Sequence, residues 1–329
     1  MKPTAELNEL GQSLWLDNIT RKLLASGTLQ RYIDELSVTG RASNPTIFNR
    51  AIKGSADYDD DIRAQLKLGQ SGEALFFELA LADIAQAADL FLPIHQRTRG
   101  AAERVHQDPG TAEGLPAIEE AIFAGVPVNV TLLFSSAQYL AAAGAFLRGI
   151  ERRIDAGLSP FVALVASLFV SRWDVAVAGK VPPALDMQLG VAVGRQVYKA
   201  YCDIVASPRY RRVMNEGAPV QRLLLASTGT KNPKASDTLY VEALAAPFTV
   251  DTMPEATLNA FADHGKVGAA TPADGGDCEA VLAQFRRAGI DLDDLAARLQ
   301  TEGAASFVAS WNELMGVIAS KSAALASAA

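Results

Sequence analysis

The chain is short of the residues that staple small or metal-bound proteins together. Cys202 and Cys278 are its only cysteines, too few and too far apart for a disulfide framework or a thiolate cluster. The three histidines, His95, His106 and His264, are scattered without a His-x-x-x-His spacing, so no metal is expected. No apolar run reaches the ~18 residues of a membrane span. The opening MKPTAELNELGQ lacks the apolar stretch of a secretory signal. No membrane partner is therefore expected, and the expected location is the cytoplasm. Neither G-x-G-x-x-G nor G-x-x-x-x-G-K-[ST] occurs, which removes the usual nucleotide-binding fingerprints. Positive charge is also in deficit. A net charge of −7 argues against nucleic acid as a partner, while leaving room for a local basic pocket.

What the chain does have is an alternation of buried-looking strands and amphipathic helices over 329 residues. SLWLD ends at Asp17, and RASNPTIF can hold a short strand broken at Pro45. VPVNVTLLF (Val126 to Phe134) and VALVASLFV (Val162 to Val170) are rich in β-branched residues, as strands buried on both faces are. QRLLLAST (Gln221 to Thr228) and APFTVDTMP read as two more strands. Between them TLQRYIDEL, EALFFELALADIAQAADLF, QYLAAAGAFLRGIERRIDAG and GVAVGRQVYKAYCDIVAS carry helical spacing. EAVLAQFRRAG, LDDLAARLQ and ASFVASWNELMGVIASKSAAL make a C-terminal helical extension over about residues 276–325. Such alternation predicts a parallel sheet covered by helices, in one domain spanning residues 1–329. Active sites of closed parallel barrels sit at the C-terminal ends of the strands.

Polar residues stand at those ends. Asp17 closes the first strand, as a helix cap or as a general acid/base. Ser43 and Asn44 precede Pro45, where turn chemistry would also place them. Asn129 and Thr131 interrupt an apolar strand two residues apart, so they share one face and need partners. Arg172 follows the strand that contains Ser167 and can hold a phosphate bidentately, or pair with a surface carboxylate. Ser227, Thr228, Gly229, Thr230 and Lys231 form a hydroxyl-rich loop after a strand, suited to a phosphate.

In wording, order and spacing, LWLDNI, SNPTIF, FFELALADIAQAADLFLPIHQRT, GTAEGLPAIEEAIFAGVPVNVTLLFS, VASLFVSRWD and LLLASTGTKNPKASDTLYVEALAAPFTVDTMP resemble the long bacterial form of the transaldolase family over nearly the whole chain. The resemblance implies an α/β (β/α)8 TIM barrel of the class I aldolase type with extra C-terminal helices. It implies transfer of a dihydroxyacetone unit between sugar phosphates in the pentose phosphate pathway, through a lysine Schiff base, with sugar phosphates as partners and no metal or organic cofactor. The chain would be a monomer or homodimer. Asp17, Asn44 and Thr131 match the family's catalytic positions. Ser43, Asn129, Ser167, Arg172, Ser227 and Lys231 match its sugar and phosphate contacts.

One stretch departs from the pattern. Between HQRTRG and EGLPAIEE the family carries its third and fourth barrel strands, with a glutamate and the Schiff-base lysine. Here AAERVHQD stands in their place, reading as a remnant of the helix between them, and Thr111 then caps the acidic helix that follows. Only six strands are countable where a barrel needs eight. The ten lysines agree: none lies between Lys67 and Lys180, and none sits in an apolar strand where desolvation could lower its pKa. No Schiff-base lysine is identifiable. Two readings follow. One is a transaldolase without its lysine strand. The alternative is a catalytically inactive family member that still binds sugar phosphates. Lys231, in a polar loop, is a poor substitute nucleophile because it would stay protonated.

Overall fold

The computed structural model describes residues 1–97 and 106–327. Two compact units divide the chain, one formed by Met1–Leu14 with Glu103–Glu302, the other by Trp15–Ala102 with Gly303–Ala329. The first unit opens with α1 (Pro3–Leu10) and the start of β1 (Ser13–Asp17). The second carries the rest of β1, α2 (Arg21–Ala25), α3 (Thr28–Leu36), β2 (Val38–Ala42), α4 (Pro45–Lys53), α5 (Asp59–Lys67) and α6 (Gly72–Arg97). The first then resumes with β3 (His106–Pro109), α7 (Leu115–Ala124), β4 (Val128–Leu133), α8 (Ser136–Asp155), β5 (Leu164–Phe169), α9 (Ser171–Val177), α10 (Leu189–Val205), α11 (Pro208–Asn215) and β6 (Arg222–Ala226). It continues through α12 (Leu239–Ala243), β7 (Val250–Met253), α13 (Glu255–His264) and α14 (Cys278–Arg287). The long α15 (Leu292–Ser327) starts in the first unit and passes into the second after Glu302.

In the first unit the strands run in the order β7-β6-β5-β4-β3, and every pair is parallel. Ser13 at the start of β1 donates its N–H to the Thr249 carbonyl beside β7, at 2.9 Å. All six residues of β4 are buried, the expected state of a central strand covered on both faces. Register fixes which side chains share a face. Gln107 is level with Asn129 and Pro109 with Thr131. Asn129 is level with Val165, and Ser167 with Leu224. Side chains alternate along a strand, so Asn129, Thr131, Ser167 and Leu224 share one face, here called inner. The outer face belongs to the helices: Leu223 and Leu225 line a small cavity with Gly194 and Tyr198 of α10. Outside the sheet α7 and α8 lie close because Gly149 has no side chain. A Cβ there would stand 2.8 Å from Ile122 Cβ and 2.9 Å from the Glu119 carbonyl. Glu119 also pairs with Arg148 at 2.5 Å and with Arg152 at 3.1 Å.

In the second unit β2 lies beside β1. One side of α6 buries Leu75, Phe76, Leu79, Ala80, Asp83, Ala87, Phe91 and Ile94 at helical spacing. Phe76 meets Phe48 and Trp311 edge-on, each with centroids 5.4 Å apart. The buried Asp83 accepts from Arg21 at 2.9 Å and from Tyr58 at 2.7 Å, so its charge is not left unpartnered.

The expectation of six strands needs correction. Seven are present among the described residues, the added one being β3 at His106–Pro109. The reading of AAERVHQD as a helix remnant therefore fails at His106–Asp108; its earlier residues lie outside the described ones. HQDP has no apolar alternation, and β3 forms because its backbone pairs with β4 and Gly110 N–H extends the ladder to the Thr131 carbonyl at 2.8 Å. The third and fourth strands are thus not both missing from the architecture, although the described strands still number one fewer than the eight of a full barrel. Two smaller corrections concern helices. Thr111 does not cap α7 directly: its Oγ accepts from Gly114 N–H at 3.2 Å in the preceding turn, and Gly114 is the N-cap residue. The two last helical segments fuse into the single α15, which runs through Gly303 without a break.

Candidate functional site

The C-terminal ends of β4, β5 and β6 collect the polar groups of the first unit. On β4, Asn129 is 7% exposed and Thr131 2% exposed. Asn129 Oδ1 accepts from the Ser167 hydroxyl of β5 at 2.6 Å, joining two inner-face residues across neighbouring strands. Among the described residues Thr131 Oγ1 is buried without a hydrogen-bond partner, although a buried hydroxyl costs free energy unless it is satisfied. Beyond Val130 the β4–β5 register shifts, and Leu132 takes a left-handed φ of 61°.

β5 and β6 are tied at their ends. Val170 N–H donates to the Ala226 carbonyl at 2.9 Å and Ser171 N–H to the Ser227 carbonyl at 3.2 Å. The Ser171 and Ser227 hydroxyls lie 2.8 Å apart. Ser227 is itself held at φ 59°, a conformation costly for a residue with a side chain and one that clusters at functional sites. Next to this pair Arg172 sits half-buried, its Cζ 5.1 Å from the Phe169 ring centroid. Burial pulls its pKa below the usual guanidinium value, partly offset by the charge of Glu302. Among the described residues no hydrogen bond or ion pair holds its guanidinium. A half-buried guanidinium without a hydrogen bond or ion pair suits a phosphate oxygen or carboxylate.

The remaining expected residues are placed as follows. Lys231 is exposed in the loop after β6. Within that loop Thr228 turns away, donating to Asp251 at 2.7 Å, and Thr230 donates to the Ser236 carbonyl at 2.8 Å. Asp17, Ser43 and Asn44 belong to the second unit. Asp17 is the half-buried last residue of β1. Ser43 is half-buried after β2, and Asn44 caps α4 by accepting from Ile47 N–H at 3.0 Å. The structure thus joins Asn129 with Ser167, and Ser227 with the neighbour of Arg172. Among the described residues no hydrogen bond joins Lys231 to the Ser171–Ser227 pair or to Arg172.

Two residues escaped the sequence reading. Gln300 of α15 bonds the end of β4. Asp251 of β7 is fully buried, and burial pushes its carboxyl up to about 7 against the lowering effect of the Thr228 hydrogen bond. Only Asp251 left a signal, a carboxylate inside the apolar TVDTM.

The sequence profile of the family described as Transaldolase/Fructose-6-phosphate aldolase matches residues 14–107 and 109–318. The chain belongs to the transaldolase/fructose-6-phosphate aldolase family. Relatives named transaldolase make it an enzyme of the transferase type. A transaldolase of Arthrobacter sp. (strain FB24) is 38% identical, over 95% of this chain and 96% of its own length. One from Frankia alni is 37% identical over 96% of each, and one from Mycobacterium tuberculosis (strain CDC 1551 / Oshkosh) 38% identical over 94% and 95%. The first alignment spans 356 positions, more than the 329 residues of this chain. These transaldolases therefore carry residues without a counterpart here. The two profile segments abut at Asp108, inside β3.

Proposed function

We propose that this chain binds sugar phosphates of the kind transaldolases act on, with the phosphate at Arg172 and the Ser171–Ser227 pair and the sugar along Asn129, Thr131 and Ser167. The observation that carries this reading is the half-buried guanidinium of Arg172, without a hydrogen bond or ion pair among the described residues, on the residue that follows one half of the Ser171–Ser227 hydroxyl pair. Family membership supports transfer of a dihydroxyacetone unit as the reaction, with Asp17 shuttling the proton and Asn44 and Thr131 assisting. Lys231 supplies a second cation to the phosphate.

A specific observation favours a second reading, a family member that holds sugar phosphates without turning them over. None of the ten lysines lies in a strand, and none is buried. An amine nucleophile at neutral pH needs desolvation or a neighbouring cation to shed its proton, and these amines are not desolvated. For the chain as it stands the lysine positions weigh toward binding without a Schiff base.

The test is calorimetric titration with fructose 6-phosphate. Binding should weaken as salt rises. Arg172→Ala should lower affinity by roughly tenfold or more, since a hydrogen bond to a charged group is worth ~1.5–3 kcal/mol. An Arg172→Ala chain that binds as well as the native one overturns the assignment. Transaldolase turnover, assayed on the same preparation, separates the two readings.

A further inference from the structure

The C-terminal helix reaches the sugar-binding strand through one side chain. The amide of Gln300 donates from Nε2 to two backbone carbonyls, Gly110 and Leu132, each at 3.0 Å. Leu132 is the left-handed residue at the β4 irregularity, and Gly110 is the residue whose N–H takes the Thr131 carbonyl at 2.8 Å. The turn after β3, the bulged end of β4 and α15 therefore close one hydrogen-bonded knot around Thr131. Nothing larger than glycine fits at its centre: a Cβ on Gly110 would lie 2.4 Å from Leu133 Cδ2 and 3.0 Å from Val130 Cγ1. Two carbonyls turned out of the ladder need donors, and a primary amide supplies both hydrogens from one atom. The knot engages the backbone of Thr131, whose buried hydroxyl has no hydrogen-bond partner among the described residues.

We propose that Gln300 is a positioning residue: by bracing the Gly110 and Leu132 carbonyls it holds the β4 bulge that keeps the Thr131 hydroxyl on the inner face, where it contacts the sugar rather than the phosphate. The proposal rests on the sugar-phosphate reading above and adds a division of labour to it. Arg172 sets affinity for the phosphate, which both ligands share. Gln300 sets the added affinity of the sugar. Removing the amide leaves two carbonyls without donors and releases a left-handed residue that the knot over-determines.

The full chain is titrated with fructose 6-phosphate and with inorganic phosphate, as the native protein and as Gln300→Glu, Gln300→Lys and Arg172→Ala. Gln300→Glu keeps the side-chain shape but sets a carboxylate against two carbonyls. It should weaken fructose 6-phosphate about tenfold, the equivalent of one lost buried hydrogen bond, and leave inorganic phosphate unchanged. Gln300→Lys still offers donors to both carbonyls and should keep the native ratio of the two affinities. Arg172→Ala should weaken both ligands together. If Arg172→Ala weakens both while Gln300→Glu leaves the ratio alone, the sugar-phosphate reading stands and the role of Gln300 falls. If Arg172→Ala weakens neither, the reading falls and the role of Gln300 with it. A Gln300→Glu chain that loses both ligands in equal measure has lost its fold rather than the aim of one strand, and this also overturns the proposal.

Discussion

At the scale of single residues, Asp251 makes the sharpest statement about pH. Its carboxyl is fully buried, Thr228 bonds one oxygen, and the other has no hydrogen-bond partner among the described residues. Burial raises its pKa to about 7, where an unfolded aspartate titrates near ~3.9. Between those two values the native state holds a proton that the unfolded chain has released. Stability therefore falls as pH rises through that window and levels off above pH 7. Asp251→Asn keeps the shape and the acceptor for Thr228 but cannot ionise. It should match the native chain near pH 4 and exceed it above pH 7 by up to roughly 4 kcal/mol, at about 1.4 kcal/mol per pKa unit. Urea unfolding at several pH values reads this directly, and parallel pH profiles for the two chains would refute it. The residue also marks how far a sequence speaks. Asn129 and Thr131 were legible because a polar group in an apolar strand needs a reason, whereas Ser167 came only through the family resemblance. Asp251 carried the same mark, but pattern alone does not tell a buried structural carboxyl from a turn residue. Gln300 carried none, since a glutamine on a helix reads as surface and its partners are backbone carbonyls.

At the scale of elements, legibility followed burial. The strands built on LWL, VNVTLL, LVASLF, RLLLA and VDTM announce themselves because both their faces are covered, so nearly every position selects an apolar or β-branched residue. β3 does not, because HQDP contributes backbone pairing to β4 and little else. The helices were legible from their apolar stripes, while the fusion of the last two was not, since a glycine inside a helix lowers propensity without forbidding it. Glycine is decisive between α7 and α8. Gly149→Ala would gain about 1 kcal/mol of helix propensity. Against this, the new Cβ would meet the Glu119 carbonyl at 2.9 Å and Ile122 Cγ2 at 2.7 Å. A carbonyl on a packed helix cannot swing aside as a side-chain tip can, and overpacking of this kind costs roughly 1–3 kcal/mol. The variant should unfold at lower urea with an unchanged denaturant slope. A gain in stability would mean that α7 and α8 separate at little cost.

At the scale of the whole molecule, the lysines decide what chemistry a bound ketose would meet. Its lysines are distributed by surface logic. Lys53 pairs with Glu313 at 3.0 Å, Lys199 with Asp203 at 2.5 Å, and Lys321 with Asp59 at 2.6 Å. Asp203 raises the Lys199 pKa further, the wrong direction for a nucleophile. Lys231 and Lys234 stand exposed after β6. An amine that attacks a carbonyl must first be neutral, and none of the ten lysines of this chain is buried. The curated transaldolases align over more positions than this chain possesses, so the absence of a strand lysine accompanies an absence of residues. The expectation is that borohydride added with fructose 6-phosphate reduces no Schiff base: the intact mass stays at the 34.8 kDa of the sequence, while equilibrium dialysis on the same sample still shows the ketose phosphate bound. Binding without trapping would place the chain among family members that hold their ligand and leave its carbon–carbon bonds alone. A stable adduct, mapped to one lysine by peptide mass, would refute this, and that lysine would then have to be explained by a desolvating movement that this structure does not contain.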